Sequence, residues 1–515
     1  MDKHLWELFR ARNPPDSPKK WSFFAVFLFF IRWRLDTEGG QCVYSPTMVT
    51  ATRSKAQKTS PAAPARGSAR KKPARTYNSA LKYLFSHTDY ERMLRVRYNT
   101  DTFSLERMSL LLQKLRNPHK RLRTVHIAGT KGKGSTATML AEMLQACGYR
   151  VGLYTSPHIS DLRERIRVNG QMITQAGLTR LICAAERHIK KMSDDRPTFF
   201  EIFTALAFRH FANEKVDIAV IECGLGGRLD STNVLTPAVV GLTSISLDHM
   251  HQLGNSVSKI AAEKAGVLKS NVPAVSVPQT PEAKEVLQRA ARETNANLMF
   301  TGEDIDFSYR VESSRRQGCH TRICVTTPRS RFEHLTVPLQ GEHQALNCGL
   351  ALALLDQLKL QGMKIDDEQA MAGLAGVYVP GRMEMLRDDP RILVDGAHNA
   401  ASIEALIRAI GQNIPYDSMV MVFGCASDKD IPGMIAQIAK GADKVVFTKA
   451  QDSHRAMEAR ELADIYEEHS GRVAQIAENM CEAINVASSA VTREDIICIC
   501  GSFYLVGEAK KLLAN

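Results

Sequence analysis

Nine short apolar runs govern what this chain can fold into. Five come early: "TVHIAG" (124–129), "VGLYTS" (151–156), "DIAVIECG" (217–224), "AVVGLTSI" (238–245) and "PAVSV" (273–277). Four come late: "RILVDGA" (391–397), "SMVMVFGC" (418–425), "DKVVFTKA" (443–450) and "DIICICGS" (495–502). They are largely continuous rather than alternating, which suits strands buried on both faces of a parallel sheet. The stretches between them, such as "STATMLAEMLQACG" and "SKIAAEKAGVLK", carry helical patterns. Residues 301–340 differ: "SYRVESSRRQGCHTRICVTT" alternates more, as an antiparallel insert does. The expectation is an α/β protein of two domains, 77–378 and 379–515, joined near "YVPGRME" (378–384).

A chain of 515 residues is too long for one core, which agrees with two domains. The net charge of +12 would suggest a polyanionic partner if it were spread evenly. It is not. Residues 1–75 hold 15 Lys+Arg against 5 Asp+Glu, a surplus of 10, which leaves about +2 for the other 440. The body gives no electrostatic case for nucleic acid. The stretch "TRSKAQKTSPAAPARGSARKKPAR" (52–75) has no acid and almost nothing to bury, and is expected to be a disordered basic tail. Ahead of it, "WSFFAVFLFFI" (21–31) makes about 16 Å of helix against roughly 30 Å of hydrocarbon, too little for stable membrane insertion. Two readings of residues 1–75 stay open: a signal or organelle-targeting segment, or an upstream extension with the true start at Met48. The placement is cytoplasmic, or organellar if the segment is a presequence. The 11 cysteines make no CxxC pair and read as free, buried thiols of a reducing compartment, without zinc.

Behind the first apolar run stands "HIAGTKGKGST" (126–136). Gly129, Gly132 and Gly134 let the backbone of a strand-to-helix turn aim several N–H groups at one point, and the helix start adds a favourable field for anions. Lys133 is placed to neutralise phosphate, and Ser135 and Thr136 to reach a magnesium ion. The spacing G-x-x-G-K-G-S is shorter than the usual P-loop. A nucleotide loop is expected.

Ten further motifs follow in order: "YTSPH" (154–158), "ERIRVNG" (164–170), "FFEIFTALAF" (199–208), "IECGLGGRLDSTN" (221–233), "SLDHMHQLG" (246–254), "IAAEKAG" (260–266), "LQGEHQALN" (339–347), "VPGRMEML" (379–386), "DGAHNAASIEAL" (395–406) and "GSFYLVGE" (501–508). Together these resemble the folylpolyglutamate synthase/dihydrofolate synthase family, within the Mur ligase superfamily, over nearly all of 77–515. The family's commonest loop has Asn where this chain has Lys131.

The resemblance implies an N-terminal P-loop-type ATPase domain with a mainly parallel sheet, a C-terminal Rossmann-like α/β domain, and an ATP-dependent amide ligase. ATP phosphorylates a carboxylate, the amine of L-glutamate attacks the acyl phosphate, and phosphate leaves. The implied phosphate loop is Gly129, Thr130, Gly132, Lys133, Gly134, Ser135 and Thr136, with Arg382 reaching the phosphates from the second domain. Ser156, Glu222 and His249 are the implied ligands of magnesium, with two ions in all. Lys264 is implied as a carbamylated lysine holding the second. Asn347 and Asp395 fall on the adenosine side, His398 and Ser502 beside the incoming glutamate, and Phe200, Leu229 and Asp230 at the pterin of the acceptor. The partners implied are ATP, L-glutamate and a folate or dihydropteroate, and two domains in one chain suit a monomer.

Plainer readings stand beside these. Ser156 could cap the segment from Pro157, His249 could be a turn residue, and Lys264 could face solvent from its helix. Glu222 closes a very apolar run, where a mere core carboxylate would be an uncompensated buried charge. Two other functions remain as alternatives: a Mur-type cell-wall ligase, against which the loop, "TSPH" and "ERIR" argue, and a nucleotide-binding interaction protein docking through its basic tail.

Overall fold

The computed structural model describes residues 76–513, apart from 92, 94–97, 193–194, 315–317, 452 and 454. The tail expected over 1–75, with its apolar segment and Met48, lies outside the described residues.

Each of the nine apolar runs contains a strand. In the first series these are β1 (Thr124–Ala128), β2 (Val151–Tyr154), β5 (Ile218–Glu222), β6 (Val239–Leu242) and β7 (Pro273–Ser276). Every residue of β1, β2, β5 and β6 is buried, as double-faced burial requires. Three strands without such a run complete the sheet: β3 (Ile166–Val168), β4 (Gln171–Met172) and β8 (Asn297–Phe300). The order is β4-β3-β2-β5-β1-β6-β7-β8, parallel from β2 to β8, with β3 and β4 added antiparallel at one edge. From β1 the chain moves to β2 on one side, and from β6 to β7 on the other. The crevice beyond the C-terminal ends of β1 and β6 is therefore where the winding reverses, the preferred ligand position in open α/β sheets.

The alternating insert is a three-stranded antiparallel sheet of β9 (Asp306–Ser314), β10 (Gly318–Thr326) and β11 (Arg331–Thr336), with β10 in the middle. The late series gives a third sheet, in the order β12-β13-β17-β14-β15-β16, from β12 (Glu384–Asp388), β13 (Arg391–Val394), β14 (Met419–Phe423), β15 (Lys444–Phe447), β16 (Gln475–Ile476) and β17 (Ile496–Cys500). It is parallel except for β12 at its edge. The protein is thus α/β, with two mixed, mostly parallel sheets and a small antiparallel one. Apolar cores fill both faces of each large sheet.

Helices Glu342–Leu360 and Lys133–Ala146 pack together under the large sheet. The first is buried almost all round, so its pattern is apolar rather than amphipathic. Among the described cysteines none is paired. Cys223, Cys348, Cys425, Cys498 and Cys500 are buried as expected, while Cys481 is exposed. No described helix is long and apolar enough to cross a membrane.

Candidate active site

After β1 the chain turns through Gly129, Thr130, Lys131 and Gly132 into the helix Lys133–Ala146. Gly129 has φ +142° and Gly132 φ +86°. A Cβ on Gly129 would overlap the Thr243 hydroxyl, and one on Gly132 the Asn347 amide oxygen, so both positions need glycine for space and for backbone. The Thr130 and Lys131 N–H groups donate to the Ser244 carbonyl at 2.9 and 3.2 Å, which ties the loop to the end of β6. Gly132 caps the helix without a side chain, so the first-turn N–H groups keep no side-chain acceptor. Lys133 Nζ donates to the Thr130 carbonyl at 3.2 Å. Ser135 and Thr136 are buried, and the Thr136 hydroxyl faces the Asn347 carbonyl at 3.5 Å. Thr136 thus sits in the first turn of the loop's helix, against the helix that carries Asn347.

Glu222, the last residue of β5, is 4% exposed and accepts the Ser156 N–H at 2.9 Å. Burial raises its carboxyl, opposed by Lys133, the Ser156 N–H, Arg382 and Arg165. Ser156 does not act as a side-chain cap. The following turn is held instead by Glu164, which accepts the N–H groups of Ile159, Ser160 and Asp161 at 2.8–2.9 Å. Next to it, buried Arg165 pairs with Glu91 at 2.7 Å and donates to His158 at 3.0 Å. The "TSPH" and "ERIR" motifs are one locked structure.

Lys264 does not face solvent. It is 4% exposed, and its Nζ donates to the Gly129 carbonyl at 2.8 Å. Burial first, then the nearby Lys133, lowers its amine to about 7. His249, with φ +50°, sits at the start of the short helix Met250–Leu253. Burial and Lys429 lower it to about 3, so its imidazole is neutral. The neighbouring Asp248 gathers the His249 N–H (2.8 Å), Lys429 Nζ (2.7 Å) and Asn399 Nδ2 (3.1 Å), with His398 Nε2 at 3.7 Å. Burial disfavours its charge, but the Lys429 ammonium beside it outweighs that and holds its carboxyl well below the usual range. This ion cluster joins the loop after β6 to the loops after β13 and β14.

On that second side, Asp395 follows β13 and accepts the Met383 and Ala397 N–H groups at 2.9 and 2.8 Å. Its carboxylate therefore ties the "PGR" turn to the strand end. Arg382, in that turn, stacks its guanidinium 4.9 Å from the Phe503 ring centroid. His398 Nδ1 lies 2.7 Å from the Gly396 carbonyl, which places its proton there and leaves Nε2 toward Asp248. Ser502, just after β17, accepts the Tyr504 N–H through its hydroxyl at 3.2 Å. Asn347 Nδ2 donates to Gln344 at 2.9 Å, beside Gly132.

Phe200 opens the helix Phe199–Glu214, fixed by a Thr198–Glu201 capping box and by Arg107, which grips Glu201 at 2.8 Å. Its ring lies against Gly224. Leu229 is buried and donates its N–H to the Tyr98 oxygen at 3.2 Å. Asp230 is buried and accepts the Leu225 and Thr232 N–H groups at 2.9 Å, together with the Thr232 hydroxyl. That hydroxyl also meets His126 Nε2 at 2.7 Å.

The crevice thus brings together Glu222 with Ser156, Lys264 with the loop, and His249 with His398 through Asp248. No three His, Cys, Asp or Glu side chains among the described residues form a ready metal cluster. Residues that sequence reasoning passed over include Lys429, Asn399, Arg107 and Tyr98. Lys429 stands in "SDKD", whose flanking acids read as a solvated turn, so no local signal marked it.

Residues 127–355 match the Mur ligase middle domain and residues 381–503 the Mur ligase glutamate ligase domain. The dihydrofolate synthase/folylpolyglutamate synthase of Bacillus subtilis is 34% identical over 422 residues, covering 79% of this chain and 94% of that protein. The chain belongs to the folylpolyglutamate synthase/dihydrofolate synthase family. It is an ATP-dependent ligase that adds glutamate to folates. Among solved family members, the Mycobacterium tuberculosis folylpolyglutamate synthase complexed with ADP and AMPPCP superposes with a TM-score of 0.75 at 32% identity, covering 80% of this chain and 96% of that one. E. coli FolC in complex with DHPP and ADP gives 0.73 at 30% identity, covering 86% and 98%. The cell-wall and interaction-protein alternatives give way to this family.

Proposed function

We propose that residues 77–378 are a P-loop-type ATPase domain and 379–515 a Rossmann-like glutamate-ligase domain, and that ligation occurs in the crevice between their strand ends. ATP lies with its phosphates on Gly129–Thr136 and its adenosine toward Asn347 and Asp395. Phe200, Leu229 and Asp230 hold the acceptor's pterin. An oxygen of the acceptor carboxylate attacks the γ-phosphorus and ADP leaves. The amine of L-glutamate, set by His398 and Ser502, then attacks the acyl carbon, phosphate leaves, and the nitrogen gives up a proton. Lys133 and Arg382 offset the negative charge that two anions bring together, the dominant need in phosphoryl transfer.

The donors fit magnesium: two hydroxyls, Ser135 and Ser156, the carboxylate of Glu222, and the neutral imidazole of His249. Bound there, magnesium would supply charge neutralisation on the phosphates. Lys264 suits carbamylation, because an amine near 7 is substantially neutral at physiological pH and can add carbon dioxide, losing one proton, to become an anionic ligand. We place the enzyme in the cytoplasm as a monomer.

The observation that carries this reading is the pair of glycines whose Cβ positions are filled, with Lys133 and Glu222 beside them. The test is ligation by the full chain with ATP, magnesium and L-glutamate, using dihydropteroate and tetrahydrofolate separately. Glutamate-dependent ADP release with at least one acceptor is expected. ATP turnover that ignores glutamate with both would overturn it.

A further inference from the structure

A cavity of about 890 Å³ lies away from the ligase crevice, against the helices Gln175–Ile189 and Phe199–Glu214 and the turn between β3 and β4. Six cations line it: Lys114, Arg116, Arg150, Arg180, Arg187 and Arg209. Among the described residues the lining holds one carboxylate, Glu214, and that is already paired with Arg150. The chain beyond residue 75 carries a surplus of only about +2, so this groove concentrates charge that the rest of the body offsets.

The location separates it from catalysis. Arg150 immediately precedes β2 and Ser156 follows it, so the two stand at opposite ends of one strand, about 20 Å apart at ~3.3 Å per residue. The cations converge. His188, in the lining, is lowered by slight burial and by Arg187, Lys191, Lys114 and Arg116. Arg209 is anchored by donating to the Leu115 carbonyl at 2.7 Å. Arg180 and Arg187 are exposed on one helix face, two turns or about 10.5 Å apart. Leu115, Ile173 and Leu206 supply an apolar floor.

We propose that this cavity is a second binding site, for a chain bearing several carboxylates, the chemistry of a γ-linked oligoglutamate. Five of the six cations are arginines, whose planar fork matches carboxylates bidentately. Their spread suits successive charges along a chain rather than one compact anion. The charge and shape stand alone; the choice of a γ-linked chain rests on the ligase reading, since glutamate is what the enzyme adds.

The test uses the full chain and a fluorescent γ-linked pentaglutamate without a pterin, followed by anisotropy. Saturable binding that weakens with salt is expected. It should fall roughly tenfold or more in Arg180→Glu/Arg187→Glu, and measurably in the milder Arg180→Ala/Arg187→Ala, with ligation by the same preparations unchanged. Absent binding in the wild type, or equal binding in both variants, overturns the site. Tighter binding of a short single-stranded RNA than of the peptide overturns its assignment to carboxylates. Peptide binding by a preparation that ligates nothing would sink the ligase reading instead.

Discussion

The two ends of β2 show two ways of holding charge. At its C-terminal end, Glu222, Lys264 and Asp248 are buried and fixed by specific partners, and their proton affinities are displaced. At its N-terminal end, Arg150, Arg180 and Arg187 are exposed to solvent. Buried charges cost several kcal/mol unless compensated, so a fold keeps them where chemistry uses them. Exposed charges cost little and act through their summed field. The comparison predicts that single substitutions at the crevice are severe and that single substitutions at the groove are mild.

The largest effect is expected at Lys133. On the proposed mechanism, Lys133→Ala removes the cation that offsets charge on the transferring phosphate while leaving the core untouched. A loss of about 3 kcal/mol of transition-state stabilisation, or roughly a hundred- to thousand-fold in kcat, is expected, with an unchanged melting temperature. Turnover near that of the parent enzyme would remove the crevice's claim to phosphate chemistry.

Lys264 comes next. Lys264→Ala should slow ligation by at least roughly tenfold, or about 1.4 kcal/mol, and acetate should restore part of the rate by standing in for carbamate oxygens. A lysine acting only through its own ammonium would not be rescued by a carboxylic acid. Full activity without bicarbonate would identify Lys264 as a brace for the Gly129 carbonyl and nothing more.

How far these contrasts were legible depends on how local their causes are. The glycine loop was readable because strand, turn and helix lie within a dozen residues. The strands buried on both faces were readable because their apolar runs have no other use. The strands β3, β4, β12 and β16, at or next to the sheet edges, were not, being short and partly exposed. Burial of Lys264 could not be read from a helix carrying lysines at 259 and 264, since only the tertiary fold separates them. The Asp248–Lys429 pair spans 181 positions and needs both sheets in place. The backbone contacts of Asp395 and Thr136 were not legible either, since only the folded turn and helix pair bring those groups near.

Acid should also separate the two ends. His126, under the loop on β1, is fully buried, and burial followed by Lys269 lowers it to about 3. In the unfolded chain it titrates near 6.5, so below that pH the unfolded state binds a proton that the folded state refuses. Stability is therefore lost as pH falls, by about 2 kcal/mol between pH 7 and pH 5 from this group. Urea unfolding of His126→Gln should show a shallower acid loss by that amount, whereas His188→Gln, at the groove, should change it much less, because that imidazole is only slightly buried. Equal slopes in all three proteins would mean that the imidazole of His126 is not shielded as the fold implies.

The smallest effect is expected at Arg150, and it sharpens the comparison most directly because Arg150 and Ser156 flank the same strand. Arg150 pairs with Glu214, with side chains 49% and 38% exposed. An ion pair this open is worth roughly 0–1 kcal/mol, since solvent screens the attraction and two long side chains lose freedom to form it. Arg150→Ala should therefore shift the urea midpoint barely, and because no catalytic group touches it, kcat and KM for the folate acceptor should stay at their parent values. Ser156→Ala, six residues along, should raise the magnesium needed for half-maximal rate with a similarly small change in stability. If Arg150→Ala impaired ligation as much as Ser156→Ala, the two ends of β2 would have to be coupled through the strand, and the division between a buried catalytic end and a solvated binding end would fail.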